Sequence, residues 1–355
     1  MTLTSDPRGA VAPEAKPLVV DPSRTKEPVP DYAEALPRST RRPPLTPRRL
    51  FLLAATWILV TLAMPMLVLY GFGPLLEQRA QRSLLSGYRV EIEHAAGQAD
   101  TPFGVAAPTT APAVGAAVGI MEIGRLRFSQ VAVEGVGPEQ TRRGPGHVPG
   151  TAGLGQPGNA AIVGRHLGFG GPFRSLSSLH IGDSIVVTTT QGQTLYTVSQ
   201  RRQVLLRPPP SASAAVTASP TSATALVAGR LRPVMTTAEL YAPSNDNRLT
   251  MVTSASVVPW STSHATVVVA TMKTQPFVPT PQNGRSTAAD GRHGDGSAGA
   301  PLVLALLAYI AAAVASVLLY RRFSFRSAYL LSTPVLVMFA LLLGEVVTRL
   351  LPAWT

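Results

Sequence analysis

The 355-residue chain contains no cysteine. That single absence excludes disulfides, thiolate metal sites and a cysteine nucleophile together. Charge is scarce too: Asp, Glu, Lys and Arg make up 14% of the residues, and aromatics only 6%. The charge present leans positive, with 31 Lys and Arg against 19 Asp and Glu, a formal net charge of +12. An excess of that kind can mark a nucleic-acid binder. Here much of the arginine flanks apolar runs, which points to a membrane boundary and away from nucleic acid.

Three runs are long enough to cross a bilayer, which takes about 20 apolar residues. They are 50–72, 301–320 and 329–347. Buried core helices rarely run this far without a charge, so spanning is the better reading, also for the third run, which contains Pro334 and Glu345. Arginines 38, 41, 42, 48 and 49 precede the first span, and Arg321, Arg322 and Arg326 sit between the second and third. The excess of positive charge on cytoplasmic segments then places the amino terminus inside and residues 73–300 outside. The first run exceeds a typical cleaved apolar region and reads as an uncleaved signal-anchor.

Composition divides the rest. Residues 1–49 are proline-rich and basic, without apolar periodicity, and read as a disordered cytoplasmic tail. Residues 73–96 read as an amphipathic helical stalk and 97–118 as a linker. A β domain is expected over 119–275, then a linker over 276–300. Residues 321–328 form a basic cytoplasmic loop, and 348–355 an extracytoplasmic tail. Within the β domain, "NAAIVG", "SIVVTTT", "TLYTVSQRRQVLL", "RLTMVTS" and "ATVVVAT" are short β-branched runs punctuated by Gly, Pro or Asn, with "TQGQ" as a hairpin turn. "FRSLSSLHIGD" offers one helical turn, and no long helix is expected there. Many short strands with turn signals imply a closed barrel or a sandwich.

The order of these segments carries a resemblance. "GRLRFSQVAVEGV", "GPGHVPGTAGLGQPGNAAIVG", "GGPFRSLSSLHIGDSIVVTTTQGQTLYTVSQ", "LTMVTSAS" and "TVVVAT" resemble the sortases, and among them the actinobacterial class E enzymes. The likeness runs from about 119 to 271 and is most specific in the second segment. Sortases are membrane-anchored cysteine transpeptidases of Gram-positive bacteria. The resemblance implies a mainly β, sortase-type eight-stranded β-barrel, here with three transmembrane α-helices, at the cell membrane. It implies no cofactor and no metal, and as partners sorting-signal-like peptides or envelope proteins.

The family site joins a histidine after the Asn-apolar strand, a cysteine ending the Leu-Thr strand, and an arginine opening the last strand. By that resemblance the histidine position holds Arg165, with His166 one place later. The cysteine position holds Ser254, and the arginine position falls at His264 or Ala265. No arginine occurs between 249 and 284. All three catalytic positions are therefore substituted.

A thiol of pKa about 8.5 is partly ionised at neutral pH, whereas a serine hydroxyl needs an adjacent base. Arg165 moves no proton at neutral pH, though it can bind a carboxylate or an oxyanion. Successive residues of an extended strand face opposite ways, so if Arg165 faces the pocket then His166 faces away from it. The leading expectation is a catalytically impaired homologue that binds sorting-signal-like peptides or acts in envelope assembly. The alternative is an active serine transpeptidase, acyltransferase or peptidase using Ser254 with His264 or His166. A third is an assembly module in which the spans matter most. His147 and His180 lack a metal-ligand pattern and read as loop or solvated histidines. Trp260 reads as groove lining or packing, and Arg201, Arg202 and Arg207 as a solvated strand face.

Overall fold

A computed structural model describes residues 47–97, 108–207, 224–227, 230–256, 258–284, 290–323 and 325–355. The expected cytoplasmic tail up to residue 46, residues 98–107 of the first linker and 285–289 of the second lie outside the described residues. The chain divides between Leu52 and Leu53, and the unit Leu53–Thr355 holds all the elements below except the opening turns of the first helix.

That helix, α1, spans Pro47–Met66 and contains Pro65. A proline inside a helix cannot donate to the ladder and crowds the preceding turn. The ladder widens directly afterwards into a π-helical stretch, Leu67–Phe72, before resuming as α2, Gly73–Gly97. Near the other end of the chain come α5, Gly299–Arg322, and α6, Phe325–Leu350. The helical stretches Ala54–Gly97, Gly296–Tyr320 and Ser327–Leu350 are each long and apolar enough to cross a membrane. The three helices touch: Thr61 Oγ1 hydrogen-bonds the Tyr309 hydroxyl. Gly344 lets α6 close on α1, since a Cβ there would lie 3.2 Å from backbone atoms of both Met64 and Pro65.

Between these helices the described residues form ten strands. They are β1 Ala117–Ile123, β2 Phe128–Glu134, β3 Gly146–His147, β4 Asn159–Val163, β5 Ser184–Thr189, β6 Gly192–Leu206, β7 Thr224–Val227, β8 Arg230–Met235, β9 Arg248–Ser254 and β10 His264–Met272. Two one-turn helices intervene, α3 Pro138–Thr141 and α4 Thr237–Leu240, the latter with Thr236 and Glu239 in a reciprocal capping box. Eight strands run in the order β10-β9-β4-β3-β2-β1-β5-β6, and β6 pairs back onto β10 to close a barrel. The β7–β8 hairpin extends from β6 outside that ring. The eight-stranded barrel expected from the resemblance is present. The runs read as strands became β4, β5, β6, β9 and β10, "TQGQ" lies at the β5–β6 turn, and the expected helical turn is a 3₁₀ turn at Leu176–Ser178.

The strands that matter for the site are buried on both faces. One face of β4, β9 and β10 carries Ala160, Ile162, Leu249, Met251 and Val268 into the barrel core with Phe173, Ile185 and Tyr196. The other carries Ala161, Val163, Val252, Ala265 and Val267 into a second cluster with Leu240, Tyr241 and Trp354. These strands therefore read as continuous apolar runs, without the alternation of a half-exposed strand.

Candidate functional site

Strands β4 and β9 are parallel neighbours with Val163 opposite Val252 and the Gly164 amide bonded to the Val252 carbonyl. Their carboxyl ends therefore lie side by side, which carries Arg165 and Ser254 to the same edge. Gly164 is required at that exit: a Cβ would fall 2.5 Å from the Phe173 ring. Side chains two apart on a strand share a face. Ser254 thus follows Val252, and Arg165 follows Val163, onto the face of the second cluster. Ala265 sits directly across from Ser254 in the β9–β10 register and belongs to the same cluster. His264, one residue earlier, faces the other way. The residue at the start of β10 that confronts Ser254 is Ala265.

The groove so formed is filled by this chain. Helix α6 stops at Leu350, where Pro352 disfavours helical geometry for Leu351. Residues 351–355 then enter the space between the ends of β4 and β9. Trp354 is 1% exposed. Its carbonyl accepts two backbone hydrogen bonds, from His166 at 3.1 Å and from Ser254 at 3.3 Å. The Ala353 amide donates to the Gly291 carbonyl at 3.0 Å, and Arg165 Nη1 reaches the Thr355 carbonyl at 3.5 Å. The segment is braced internally by the Thr355 hydroxyl on the Pro352 carbonyl at 2.9 Å. Truncating a fully buried tryptophan costs roughly 3–5 kcal/mol, so the indole carries much of this docking.

Ser254 itself is 1% exposed. Its Oγ accepts from the Ser256 amide at 3.1 Å and donates to the Ser261 carbonyl at 3.4 Å. Among the described residues no imidazole is hydrogen-bonded to it. His264 Nδ1 pairs with Ser263 Oγ at 2.9 Å, and its Nε2 is buried without a partner. His166 is half-buried, and its Nδ1 is likewise unpaired. Desolvation, and then the charge of Arg174, hold the His166 imidazole below its usual range.

Arg165 is fully buried, and no carboxylate is bonded to it among the described residues. Nη2 donates to the Pro138 carbonyl at 3.2 Å, the guanidinium lies 5.1 Å from the Phe169 ring centre, and Nε has no partner. Burial pulls this guanidinium down to about 9, with repulsion from Arg142 adding and attraction to Glu139 opposing. It stays charged at neutral pH and forms a desolvated cationic spot at the groove floor.

A second polar cluster escaped the sequence. His147 is 1% exposed, neither solvated nor in a loose loop. Nδ1 meets Glu134 Oε2 at 2.7 Å, and Nε2 meets the Ala152 carbonyl at 2.9 Å and Thr151 Oγ1 at 3.1 Å. Hydroxyl, imidazole and carboxylate in a row resemble a nucleophilic triad, but the Thr151 hydroxyl donates to the Val148 carbonyl at 2.7 Å. The ring faces acceptors at both ends and takes no proton from Thr151, so the cluster braces β2, β3 and the following loop. Beside it lies a cavity of about 400 Å³, lined by Glu134, His147 and Gln156 among others and separate from Ser254. Among the described residues no group of three or more His, Asp and Glu is placed to hold a metal.

Of the residues singled out by the sequence, Arg165, His166 and Ser254 converge on residues 354–355, while His264 is directed to the opposite face. Trp354 was missed. Its only local signal is a large aromatic after a helix-breaking proline, and nothing in the pattern tells which surface covers it.

Fold and groove together define a closed β-barrel carried by membrane-capable helices, with a site at the ends of two parallel strands. Residues 121–273 match the sortase domain family model, and this stretch of the chain is a sortase-type domain. Similar solved structures include sortase E from Streptomyces avermitilis (26% identity, 46% of this chain and 93% of that one, TM-score 0.33). They also include a Clostridium perfringens sortase D5 transpeptidase (16% identity, 55% and 99%, TM-score 0.39). A third is sortase E1 from Streptomyces coelicolor (19% identity, 48% and 94%, TM-score 0.30). No curated protein matches the chain.

Proposed function

We propose that this protein is an extracytoplasmic, membrane-anchored sortase-type domain that binds peptide segments in its groove without transferring them. The observation that carries the reading is the bonding of Ser254 Oγ to the Ser256 amide and the Ser261 carbonyl, with no imidazole to take its proton. A serine without a base is a poor nucleophile. Arg165 supplies charge where the family has a proton donor, and Ala265 supplies no cation across from the nucleophile position. What is left at the groove is recognition chemistry: two convergent backbone amides, a buried guanidinium and an apolar wall. The arginines flanking the spans support placing the barrel outside the membrane, where peptides and envelope proteins are the available partners.

One observation favours a second reading. The amides of His166 and Ser254 converge on a single carbonyl beside a serine, an arrangement that also suits an oxyanion in acyl transfer. The two readings part on one experiment. The full chain in detergent is incubated with a sorting peptide and an amine acceptor, and separately with a serine-reactive fluorophosphonate, beside Ser254→Ala. Binding of the peptide without product and without Ser254-dependent labelling is expected. Turnover lost in Ser254→Ala would establish the serine enzyme instead. Membrane-impermeant labelling of intact cells tests the orientation: residues 120–275 are expected to be reached before lysis.

A further inference from the structure

The groove holds an object the family resemblance does not account for, a buried indole delivered by a segment outside the sortase domain. Trp354 is sealed among Val163, Val252, Ala265 and Tyr241, while its own carbonyl is gripped by the His166 and Ser254 amides. Two features read a ligand here, and they read different parts of it. The amides recognise backbone, which any peptide offers. The apolar well recognises the side chain whose carbonyl the amides hold, and its size suits a large aromatic.

The well is filled from outside the barrel strands. Its occupant arrives on five residues that follow α6, joined to the barrel by a handful of hydrogen bonds and by no strand pairing. The indole Nε1 is buried without a partner, and so is Arg165 Nε. Buried donors left unpaired on both sides of a contact cost free energy that a tightly committed interior avoids. Such a contact is suited to exchange, because an incoming peptide can supply the acceptors that residues 351–355 do not.

We infer that the groove is a receptor site for an aromatic-bearing peptide segment, and that residues 351–355 occupy it in cis as a displaceable strap. This rests on the peptide-binding reading of the groove and adds to it the class of side chain read. While the strap is docked, Ser254 and Arg165 are sealed from solvent. When it leaves, both amides, the guanidinium and the aromatic well become available together.

The absence of cysteine makes a clean test available in the full chain. The thiol introduced by Ser254→Cys is titrated with a maleimide in detergent micelles. Slow labelling is expected with the native strap, and at least about tenfold faster labelling when residues 351–355 are replaced by a Gly-Ser sequence. The Ala160→Cys thiol, in the barrel core, remains unreactive in both backgrounds if the barrel stays folded. Trp354→Phe, which refills the well with an aromatic, keeps the slow rate. An end-blocked peptide with the sequence of residues 349–355 is then added to the strap-replaced chain. It is expected to restore protection, and the same peptide with alanine at the tryptophan position is not. Fluorescence gives a readout that leaves the strap intact. In the Trp57→Phe, Trp260→Phe chain the remaining indole is expected to resist acrylamide quenching, and to become quenchable with excess blocked peptide.

The outcomes separate. Equal labelling of the Ser254→Cys thiol with and without the strap, or a freely quenched indole in the native strap, overturns the inference. Protection by both peptides alike overturns the aromatic preference and leaves peptide binding standing. Unmasking of the thiol with protection by neither peptide overturns the peptide-binding reading as well.

Discussion

Arg142 and Glu345 meet through two parallel hydrogen bonds, Nη1 to Oε1 at 2.6 Å and Nη2 to Oε2 at 3.0 Å. The carboxylate that interrupts the third apolar run is thereby paired with the barrel. Arg142 also lies 4.7 Å over the Phe169 ring, so its planar group is held by both contacts. A fork-to-fork pair of this kind is more directional than a surface ion pair. A double-mutant cycle of Arg142→Ala and Glu345→Gln in detergent is expected to give a coupling energy of about 1–2 kcal/mol. Strict additivity would mean that the pair does not tie α6 to the barrel.

Glu77 on α2 should make the docking of that helix respond to pH. It is 4% exposed and accepts from Gln130 Nε2 at 2.6 Å. Burial raises its carboxyl to about 7, partly offset by the Gln130 hydrogen bond. A carboxyl whose folded pKa lies above its unfolded value favours the fold most when protonated. Its stabilising share is therefore full below about 4.5 and is lost as pH rises through about 7. Hydrogen exchange of residues 73–97 is expected to quicken from pH 6 to pH 8, after correction for intrinsic rates. Glu77→Gln should flatten that change, and an unchanged slope in the variant would remove Glu77 as its source.

The His147–Glu134 pair predicts a purely structural phenotype. Both partners are essentially unexposed, and Glu134 Oε1 also accepts from Asn283 Nδ2 at 3.1 Å. Removing one member leaves a buried hydrogen-bonding group without its partner, which costs roughly 1–3 kcal/mol. Glu134→Gln should lower the denaturant midpoint of the full chain accordingly, while the exposed His180→Gln should move stability by less than about 0.5 kcal/mol. Equal effects from the two substitutions would mean that the buried pair contributes nothing.

How far the sequence reached follows from where each signal lives. β4, β5, β6, β9 and β10 are dense in Val, Ile and Thr, and a strand preference of that strength is visible locally. β3 was not, because two residues, Gly146 and His147, carry no period; it exists where a Cβ at 146 would meet the Gly135 carbonyl at 2.2 Å. Motif order singled out Arg165 and Ser254, and the parallel register of β4 and β9 carries both to one edge. Strand parity, applied to β10 once its register with β9 is known, separates His264 from Ala265; the long loop before β10 hid that register. Trp354 and the His147 brace are tertiary facts, since their partners lie far away in sequence.

The last prediction concerns restoring chemistry to the groove. A cysteine at the nucleophile position is easily ionised, so Ser254→Cys looks like a one-step repair. It should not produce a transpeptidase. The leaving amine needs a proton, and general acid catalysis is worth on the order of 10²–10⁴ in rate. Arg165, held down to about 9, still keeps its proton at pH 7, and on the proposed reading it stands where an imidazole would deliver one. The oxyanion also lacks a cation, because Ala265, not His264, confronts Ser254. An arginine placed at 264 would extend to the wrong face, while Ala265→Arg must push Trp354 out of the well. The repair therefore requires Ser254→Cys, Arg165→His and Ala265→Arg together with replacement of residues 351–355. Product release from a sorting peptide, followed by mass spectrometry, is expected to be undetectable for Ser254→Cys alone and for the set carrying His264→Arg in place of Ala265→Arg. Robust transfer by Ser254→Cys alone would show that some other group already serves as acid and oxyanion donor, and the reading of this groove as a recognition site would have to be abandoned.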